Sequence, residues 1–422
     1  MKLIILKPRS KFYWLNRRFR VSLILLQTKR DLILSPLISL LTLFDYDKYD
    51  VDLLLFYQRG LYLPLIPKEV NVIEPPGFLK RINKGMKSNL VQGDLKALYL
   101  RMGLSISCRN PLMTKKYHGA QIIYKWLSKG IENLDKEYDV AIAYSQGMPT
   151  YYVSQKVKAK RKLAWMNIDY KVAGYNKDFD IKYYNKFDKV VAVSHSCKDV
   201  LIKEIPSLEN KVEIIYDIIS SKLIENMANE KGGFSDEFDG IKILTIGRLV
   251  HQKGYEMAIE AAYKLKQDKI NFKWYAIGEG KLKEKFENMI SSLGLENNFI
   301  FLGTFQNPYT FLKQTDIYVQ PSRYEGYGLV IAEARILQKP IVATDFTVVH
   351  NQIIDGKNGL ISQMNSDSLY KCVKRMIEDE NLQNHVCENL KKESPGTEEE
   401  IFKIYHNFFL FSCIFNFYLY GK

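Results

Sequence analysis

Short apolar runs alternate with longer segments of mixed polarity in the first half of the chain. Five of these runs have the length and the aliphatic content of buried β-strands. Strands of this kind, separated by helix-length segments, are typical of a parallel sheet that is covered by helices. The predicted strands cover residues 49–57, 139–144, 162–166, 189–194 and 211–216.

From residue 241 onward the same alternation is more regular. Six predicted strands alternate with helices, a pattern that predicts a doubly wound sheet with ligands bound at the carboxyl ends of the strands. Residues 217–240 interrupt the alternation with Gly232-Gly233, serines and acids, so we predict an interdomain linker there. The six predicted strands cover residues 241–246, 272–277, 299–303, 316–320, 340–344 and 359–362.

The composition agrees with a well-packed protein of two or three domains. The 422 residues are 46% hydrophobic and 26% charged, which excludes extended disorder and a collagen-like architecture. The net charge of +14 lies entirely in residues 1–225, which carry +16, whereas the remainder carries −2. We therefore expect the halves to meet different partners, and the first half to meet an anionic molecule or surface.

Three apolar runs lie near the ends of the chain, at residues 21–26, 32–44 and 408–420. Crossing a bilayer needs about 20 consecutive apolar residues, so we expect none of these runs to span one. Residues 1–30 carry nine Lys/Arg and no acid, interleaved with aromatic side chains. That composition suits the face of an anionic bilayer, and it suits a solvated basic terminus about equally well.

The metal-binding residue types show no ligand pattern. The five cysteines are scattered and form no CxxC pair, which is typical of a reducing compartment and argues against a zinc site or a disulfide framework. Asp-x-Asp sequences at residues 45–47, 50–52 and 178–180 fall in an Asp-rich half, and we interpret them as surface acids. We expect no obligatory metal and no cofactor.

The loop at residues 321–333 combines glycines with two carboxylates. Gly326 and Gly328 precede a predicted helix, where bare backbone lets a ligand approach and free N–H groups attract phosphate. Glu325 is expected to project into the crevice, and Glu333, eight residues later, to accept hydrogen bonds from a ribose diol. Taken alone, the pattern fits a plain strand-to-helix turn with two exposed glutamates as well.

A second loop, at residues 247–254, holds Arg248 and Lys253 after the first strand of the same domain. The fork of donors of an arginine and the point charge of a lysine together can neutralise a diphosphate and stabilise it as it leaves. An isolated basic pair is usually solvated. Combined with the glutamate loop at a matching strand end, the pair predicts a site for a nucleoside diphosphate.

These loops resemble the signature of family 4 retaining glycosyltransferases, together with three shorter motifs at residues 278–280, 339–344 and 355–359. The resemblance runs from about Tyr46 to about Asp379 and is closest to bacterial capsular and exopolysaccharide enzymes. It implies the α/β GT-B fold, in which two Rossmann-like doubly wound parallel-sheet domains face each other across a cleft. The implied division is an acceptor-side domain at 1–216, a donor domain at 241–395 and a segment, 396–422, that crosses back to the first domain.

The resemblance also implies roles for individual residues. Arg248 and Lys253 would contact the donor diphosphate, and Glu325 the transferred sugar. Asn167 and Asp169 would lie on the acceptor side. The other implied donor contacts are Gly247, Gly278, Gly326, Tyr327, Gly328, Leu329 and, at the ribose, Glu333.

Three departures from the family pattern stand out. Residues 1–44 contain no glycine, where family members usually place a glycine-rich loop after their first strand. Asn167 stands where a histidine is common, and an amide can bond a sugar hydroxyl but cannot exchange protons near neutral pH. Residues 345–352 lack the common Gly-Gly and Pro-Glu.

The resemblance therefore implies a retaining transfer of a sugar from a nucleoside diphosphate to a lipid-linked or oligosaccharide acceptor, at the cytoplasmic face of the membrane. Departure of the diphosphate on the same face as the incoming hydroxyl would explain retention without an obvious nucleophile. The alternative is a catalytically impaired relative that serves as a membrane-associated binding or scaffold protein. Nucleic-acid binding has only the charge in its favour and no recognisable motif, so we expect no nucleic-acid partner.

Overall fold

The structure, a computed structural model, describes residues 19–25, 34–56, 63–79 and 94–409. Within these ranges the chain forms two parallel β-sheets, one of seven strands and one of six, each packed between helices. The predicted alternation of strands and helices is confirmed in both halves.

The first sheet has the strand order β3-β2-β1-β4-β5-β6-β7, and all its neighbouring strands are parallel. The order reverses between the first and the fourth strand, as in dinucleotide-binding folds. Its strands are β1 (Phe19–Leu25), β2 (Tyr49–Leu55), β3 (Asn71–Ile73), β4 (Leu134–Ala143), β5 (Val157–Met166), β6 (Lys189–Ala192) and β7 (Val212–Ile214).

Helices cover both faces of this sheet and carry the connections between its strands. They are α1 (Leu34–Leu43), α2 (Leu95–Arg109), α3 (Pro111–Lys116), α4 (Gly119–Leu127), α5 (Met148–Lys156), α6 (Tyr170–Ala173), α7 (Lys177–Tyr184) and α8 (His195–Glu204).

The second sheet repeats the same plan, with the order β10-β9-β8-β11-β12-β13 and a reversal between β8 and β11. Its strands are β8 (Ile241–Ile246), β9 (Phe272–Ile277), β10 (Phe299–Gly303), β11 (Ile317–Gln320), β12 (Ile341–Thr344) and β13 (Leu360–Ser362). The helices of this half and of the chain end are α9 (Ser221–Ala228), α10 (Tyr255–Gln267), α11 (Lys283–Ser292), α12 (Tyr309–Gln314), α13 (Leu329–Ile336), α14 (Ser366–Glu378), α15 (Glu380–Lys391) and α16 (Glu400–Phe409).

Both faces of the second sheet are buried, which explains its near-continuous apolar strands. Ile243 and Trp274 point into one core layer, whereas their neighbours Leu244 and Tyr275 point into the other. A strand that is covered on both sides has no solvent face and therefore shows no polar alternation.

β4 and β5 are longer than the sequence predicts. Each begins about five residues earlier, at Leu134 and Val157, and half of the ten added residues are exposed. Apolar runs indicate only the buried part of a strand, so the polar extension of this strand pair escapes prediction.

The apolar runs near the N-terminus belong to the core of the first domain. β1 pairs with both β2 and β4, and its Val21 and Leu23 are fully buried. α1 buries Leu37, Leu40 and Leu41. Among the described residues, no helix combines the length and the apolar character needed to cross a bilayer. The basic segment at residues 1–18 and the end of the last apolar run, residues 410–422, lie outside the described ranges.

The segment predicted as a linker contains helix α9. Its Ile224 and Met227 are buried in the same core layer as Leu312 of α12, so this part of residues 217–240 belongs to the second domain. The segment forms an amphipathic helix of eight residues, which its mixed composition does not indicate. The Gly232-Gly233 pair, both at positive φ, follows that helix.

Helix α16 packs on the first domain, although it follows the second domain in sequence. Ile401 and Ile404 are buried in the first core. The ring of Tyr405 stacks on that of Tyr49, with centroids 4.9 Å apart. The Tyr405 hydroxyl accepts a hydrogen bond from the Asp45 N–H at 3.0 Å. These contacts join the end of the described chain to the strand and helix near its start.

The chain crosses between the domains twice, and the two crossings are bonded to each other. The Thr397 hydroxyl donates to the Asp217 carbonyl at 2.7 Å and accepts from the Ile219 N–H at 2.9 Å. The Glu398 carboxylate accepts from the Ser221 N–H at 2.6 Å.

Tyr405→Ala should lower the free energy of unfolding by about 1–3 kcal/mol, because it removes a stacked and partly buried ring. Phe402→Ala on the same helix is the matched control. Its ring is 70% exposed, so we expect a change within about 0.5 kcal/mol. Urea unfolding of both variants measures the difference, and equal losses would contradict the described packing of α16.

Candidate active site

The two loops singled out in the sequence meet where the strand order of the second sheet reverses. They follow β8 and β11, which are neighbouring strands with Ile243 opposite Ile317. Gly254 has φ +60°, and a Cβ at this position would lie 2.0 Å from the Pro321 carbonyl oxygen. Only glycine at this position therefore lets the loop at residues 247–254 contact the loop at residues 321–333. Ligands of doubly wound sheets bind in the crevice at such a reversal.

Backbone and side-chain hydrogen bonds hold the two loops together. The Arg323 N–H donates to the Gln252 carbonyl at 2.7 Å, and the Gln252 side chain donates to the Tyr324 carbonyl at 2.9 Å. Bonds in both directions fix the register of one loop on the other, so the charged side chains that follow are held at defined positions.

An ion pair joins the loops at their centre. The Lys253 ammonium lies 2.6 Å from Glu325 Oε1, and the two side chains are only 12% and 10% exposed. The same oxygen accepts hydrogen bonds from Ser322 Oγ at 2.6 Å and from Gln320 Nε2 at 3.0 Å. The carboxylate is thus held by three donors in a site with little water, where each charge-assisted bond is strong.

Arg248 differs from Lys253 in its exposure. Its side chain is exposed at the rim of the cleft, where one guanidinium nitrogen lies 3.5 Å from Gln252 Oε1. A guanidinium in this position has donors to offer to an incoming anion.

The helix after the glutamate loop begins inside the cleft. Gly328, at φ +88°, precedes the first residue of α13, and the Gln352 side chain donates to the Tyr327 carbonyl at 2.6 Å. One turn further, the buried Glu333 accepts a hydrogen bond from the Tyr309 hydroxyl at 3.0 Å. The first turn of a helix and a carboxylate thus face the same space.

The first domain forms the opposite wall of the cleft. A Cβ at Gly326 would lie 2.5 Å from the Asn167 carbonyl oxygen, so the domains touch at bare backbone. The side-chain Nδ2 of Asn167 donates to the Tyr144 carbonyl at 3.2 Å. Its Oδ1 is buried and, within the described ranges, has no hydrogen-bond partner. Asn167 is one of the residues that line the cleft, at the position where a histidine was expected from the sequence resemblance.

Most of the predicted site residues line this one cleft, but Gly247, Gly278 and Asp169 do not. Gly278 instead approaches Gly247, whose carbonyl oxygen would lie 1.9 Å from a Cβ on Gly278. Asp169 caps α6 by accepting from the Val172 N–H at 3.0 Å. The predicted residues in the lining are Asn167, Arg248, Lys253, Glu325, Gly326, Tyr327, Gly328, Leu329 and Glu333.

Asp217, Tyr309 and Gln320 also line the cleft, although they are not among the site residues predicted from the sequence. Asp217 was assigned to the linker, yet it follows β7 at the carboxyl edge of a parallel sheet, which is a usable signal. Its side chain is almost fully buried, and this burial raises the pKa of the Asp217 carboxyl to about 7. A carboxyl group that titrates near neutrality therefore borders the cleft.

The three Asp-x-Asp sequences are not among the residues that line the cleft, and two of their acids are buried rather than on the surface. Asp52 accepts from the Lys136 ammonium at 2.6 Å and from the Tyr138 hydroxyl at 2.8 Å. Asp180 accepts from the hydroxyls of Tyr151 and Tyr170, which joins α5, α6 and α7. The interpretation of these two acids as surface residues was wrong, because tyrosine and lysine donors satisfy them inside the first domain.

The comparison with known families agrees with this geometry. Residues 233–393 match the family model described as "Glycosyl transferases group 1". This part of the chain is therefore similar to group 1 glycosyl transferases. The matched range covers β8 to α15 and contains both loops of the cleft.

Two curated relatives align with about half of the chain. An uncharacterized glycosyltransferase of Methanocaldococcus jannaschii is 27% identical over 260 residues, which are 53% of this chain and 63% of the relative. N-acetylgalactosamine-N,N'-diacetylbacillosaminyl-diphospho-undecaprenol 4-alpha-N-acetylgalactosaminyltransferase of Campylobacter jejuni is 29% identical over 201 residues, 47% of this chain and 53% of the relative. The alignments thus span about half to two thirds of these relatives.

Among solved structures, HepE of Anabaena in complex with UDP is similar over 92% of this chain and 99% of its own. The TM-score is 0.60 and the sequence identity 16%, so the likeness concerns the fold. The GT-B fold implied by the sequence resemblance is confirmed.

The raised pKa of Asp217 predicts a pH dependence of stability. In the unfolded chain this carboxyl titrates near 3.8, whereas in the fold it titrates near 7. Between these values the folded state binds more protons, so the stabilisation is complete below pH 4 and is lost as the pH rises through 7.

Asp217→Asn should remove this dependence. The free energy of unfolding of the wild type, relative to that of the variant, should fall between about pH 4 and pH 7 by up to about 1.4 kcal/mol per unit and level off above pH 7. Urea unfolding at four pH values measures the difference. A difference that is constant over this range would contradict the burial of the carboxyl group.

Proposed function

We propose that this chain is a glycosyltransferase of polysaccharide biosynthesis, which moves a sugar from a nucleoside diphosphate to an acceptor. The observation that carries the proposal is the convergence of Arg248, Lys253, Glu325 and Glu333 at the strand reversal of a domain similar to group 1 glycosyl transferases. Two cations for a diphosphate and two carboxylates for hydroxyl groups are the chemistry that a nucleotide sugar requires.

The ion pair suggests how the donor is received. A diphosphate carries more negative charge than Glu325 and draws the Lys253 ammonium away from it, while Arg248 binds from the rim. Glu325 then has a carboxylate oxygen available for the hydroxyls of the sugar. Ser322 and Gln320 keep the carboxylate in place during this exchange, since they bond it independently of Lys253.

The nucleoside fits beside α13. Glu333 is positioned to accept hydrogen bonds from the ribose hydroxyls, with Tyr309 fixing its orientation. The first turn of α13 offers N–H groups and the positive end of the helix dipole to the phosphates. Asn167 Oδ1 and Asp217 face the sugar from the other side of the cleft.

We assign a retaining mechanism to this site. Stabilisation of the leaving diphosphate by Arg248 and Lys253 lets the acceptor hydroxyl enter on the face that the phosphate leaves. The Campylobacter relative is named as a 4-alpha transferase, which is the configuration that retention yields from an α-linked donor. The two cations supply the charge that a metal would supply, so we propose that transfer proceeds without one.

A lipid-linked acceptor at the inner face of the cell membrane completes the proposal. The name of the Campylobacter relative contains a diphospho-undecaprenol acceptor, and the first half of this chain carries the charge of +16 that suits an anionic partner. The non-catalytic alternative rested on the missing glycines and on Asn167. β1 is a central strand of its sheet although the chain lacks those glycines, and Asn167 lines the cleft. We therefore propose the enzyme and not the non-catalytic alternative.

A transfer assay tests this function. The full-length protein is incubated with a panel of nucleotide sugars and polyprenyl-diphosphate-linked sugars, with and without EDTA, and the product anomer is determined by NMR. We expect transfer from at least one donor, with retention and without loss in EDTA. Absence of transfer from every donor contradicts the function, and an inverted product or an EDTA-sensitive rate contradicts the mechanism.

Arg248→Ala should lower kcat/KM about 100-fold, because it removes a donor to the leaving group. Arg375→Ala is the matched control, since this arginine is 61% exposed on the same domain and is not among the residues that line the cleft. Equal rates for the two variants would contradict the role of Arg248.

A further inference from the structure

Helix α2 of the first domain has two apolar faces, and only one is used inside the protein. Ala97, Leu100 and Gly103 are buried against α4. A Cβ on Gly103 would lie 2.3 Å from the Trp126 ring, whose indole N–H donates to Ser107 Oγ at 2.9 Å. This close contact fixes the rotation of α2, and therefore fixes which residues point outward.

The outward face of α2 bears four large apolar side chains at intervals of four, three and four residues, the spacing of one helix face. A fifth lies at the start of α3. We name these five residues the apolar stripe. The exposed fractions are 76% for Leu95, 60% for Tyr99, 58% for Met102, 63% for Ile106 and 79% for Leu112. Four large exposed apolar side chains on one helix face, with a fifth at the start of the next helix, indicate an interaction surface.

The charge around the apolar stripe is mainly positive. Residues 95–131 contain seven Lys/Arg and no Asp or Glu, and one acid, the N-cap Asp94, directly precedes the stripe. Lys96 and Arg109 lie on α2 itself, while Lys115 and Lys116 close α3, and all four are exposed. Apolar side chains on a helix face, flanked mainly by long basic side chains, are the composition of a helix that lies in the interface of an anionic bilayer.

We propose that the apolar stripe docks this chain on the surface of an anionic lipid bilayer. The apolar residues enter the boundary between head groups and acyl chains, and the lysines and arginines contact the lipid phosphates. A second copy of the chain is the less fitting occupant, because it would bring two strongly positive surfaces together. The proposal rests on the proposed function in that it supplies the membrane face where a lipid-linked acceptor is met, but the docking itself needs no catalysis.

Vesicle co-sedimentation of the full-length protein tests the docking. Vesicles of phosphatidylcholine alone are compared with vesicles of phosphatidylcholine and phosphatidylglycerol at a ratio of about three to one. The test variant is Met102→Gln/Ile106→Gln. The matched control is Ile354→Gln/Met364→Gln, which changes the same residue types on the second domain, where they are 56% and 41% exposed.

We expect the wild type and the control to bind the anionic vesicles, and the test variant to bind at least about tenfold less. Lys115→Gln/Lys116→Gln should weaken binding to anionic vesicles only, since it leaves the apolar contacts intact. Thermal unfolding should be the same in all variants because every substituted side chain is exposed, and this shows that any loss of binding is not a loss of folding.

Equal binding of the test variant and the control overturns the proposal. It is also overturned if light scattering shows a dimer that Met102→Gln/Ile106→Gln dissociates, because the apolar stripe would then be a contact between copies. Selective vesicle binding without transfer from any donor supports the docking and contradicts the proposed function. Transfer without selective vesicle binding supports the proposed function and contradicts the docking. The failure of one proposal can therefore be told apart from the failure of the other.

Discussion

The ion pair between Lys253 and Glu325 is the interaction on which the cleft depends. It joins two loops that are 72 residues apart in sequence, and it is possible only because β8 and β11 are adjacent at the reversal of the sheet. The pair is shielded from water, so removing either partner leaves the other as an uncompensated charge, which is strongly destabilising. Under the proposed function, stability and donor binding are coupled through the same two side chains, since the diphosphate would have to replace a carboxylate that the fold already uses.

The second constraint is the narrow contact between the domains. The bare backbone of Gly326 lies against the Asn167 carbonyl, and the two chain crossings at Asp217 and Thr397 are bonded to each other. Asn167 and Asp217 are thereby held opposite the two loops of the second domain that line the cleft. Asp217 stands at this junction, where the closeness of the domains also removes its carboxyl group from water and raises its pKa.

The second domain was largely predictable from the sequence because both faces of its sheet are buried. Uninterrupted apolar strands and glycine-rich loops are local signals, and β8, β9 and β10 have the predicted bounds. The partly exposed starts of β4 and β5 carry no such signal, and helix α9 is hidden in a polar segment. The pairing of Lys253 with Glu325 and the burial of Asp217 arise from tertiary contacts, which spacing along the chain does not encode. The apolar stripe is a helical pattern, but only the packing of Gly103 on Trp126 shows which face is outward.

A structure of the protein in complex with UDP tests the central claim most directly. The account predicts that the diphosphate lies between Arg248 and Lys253, that Lys253 Nζ has moved away from Glu325 Oε1, and that the ribose contacts Glu333. UDP bound elsewhere, or UDP in the cleft with the Lys253–Glu325 distance still at 2.6 Å, would contradict it.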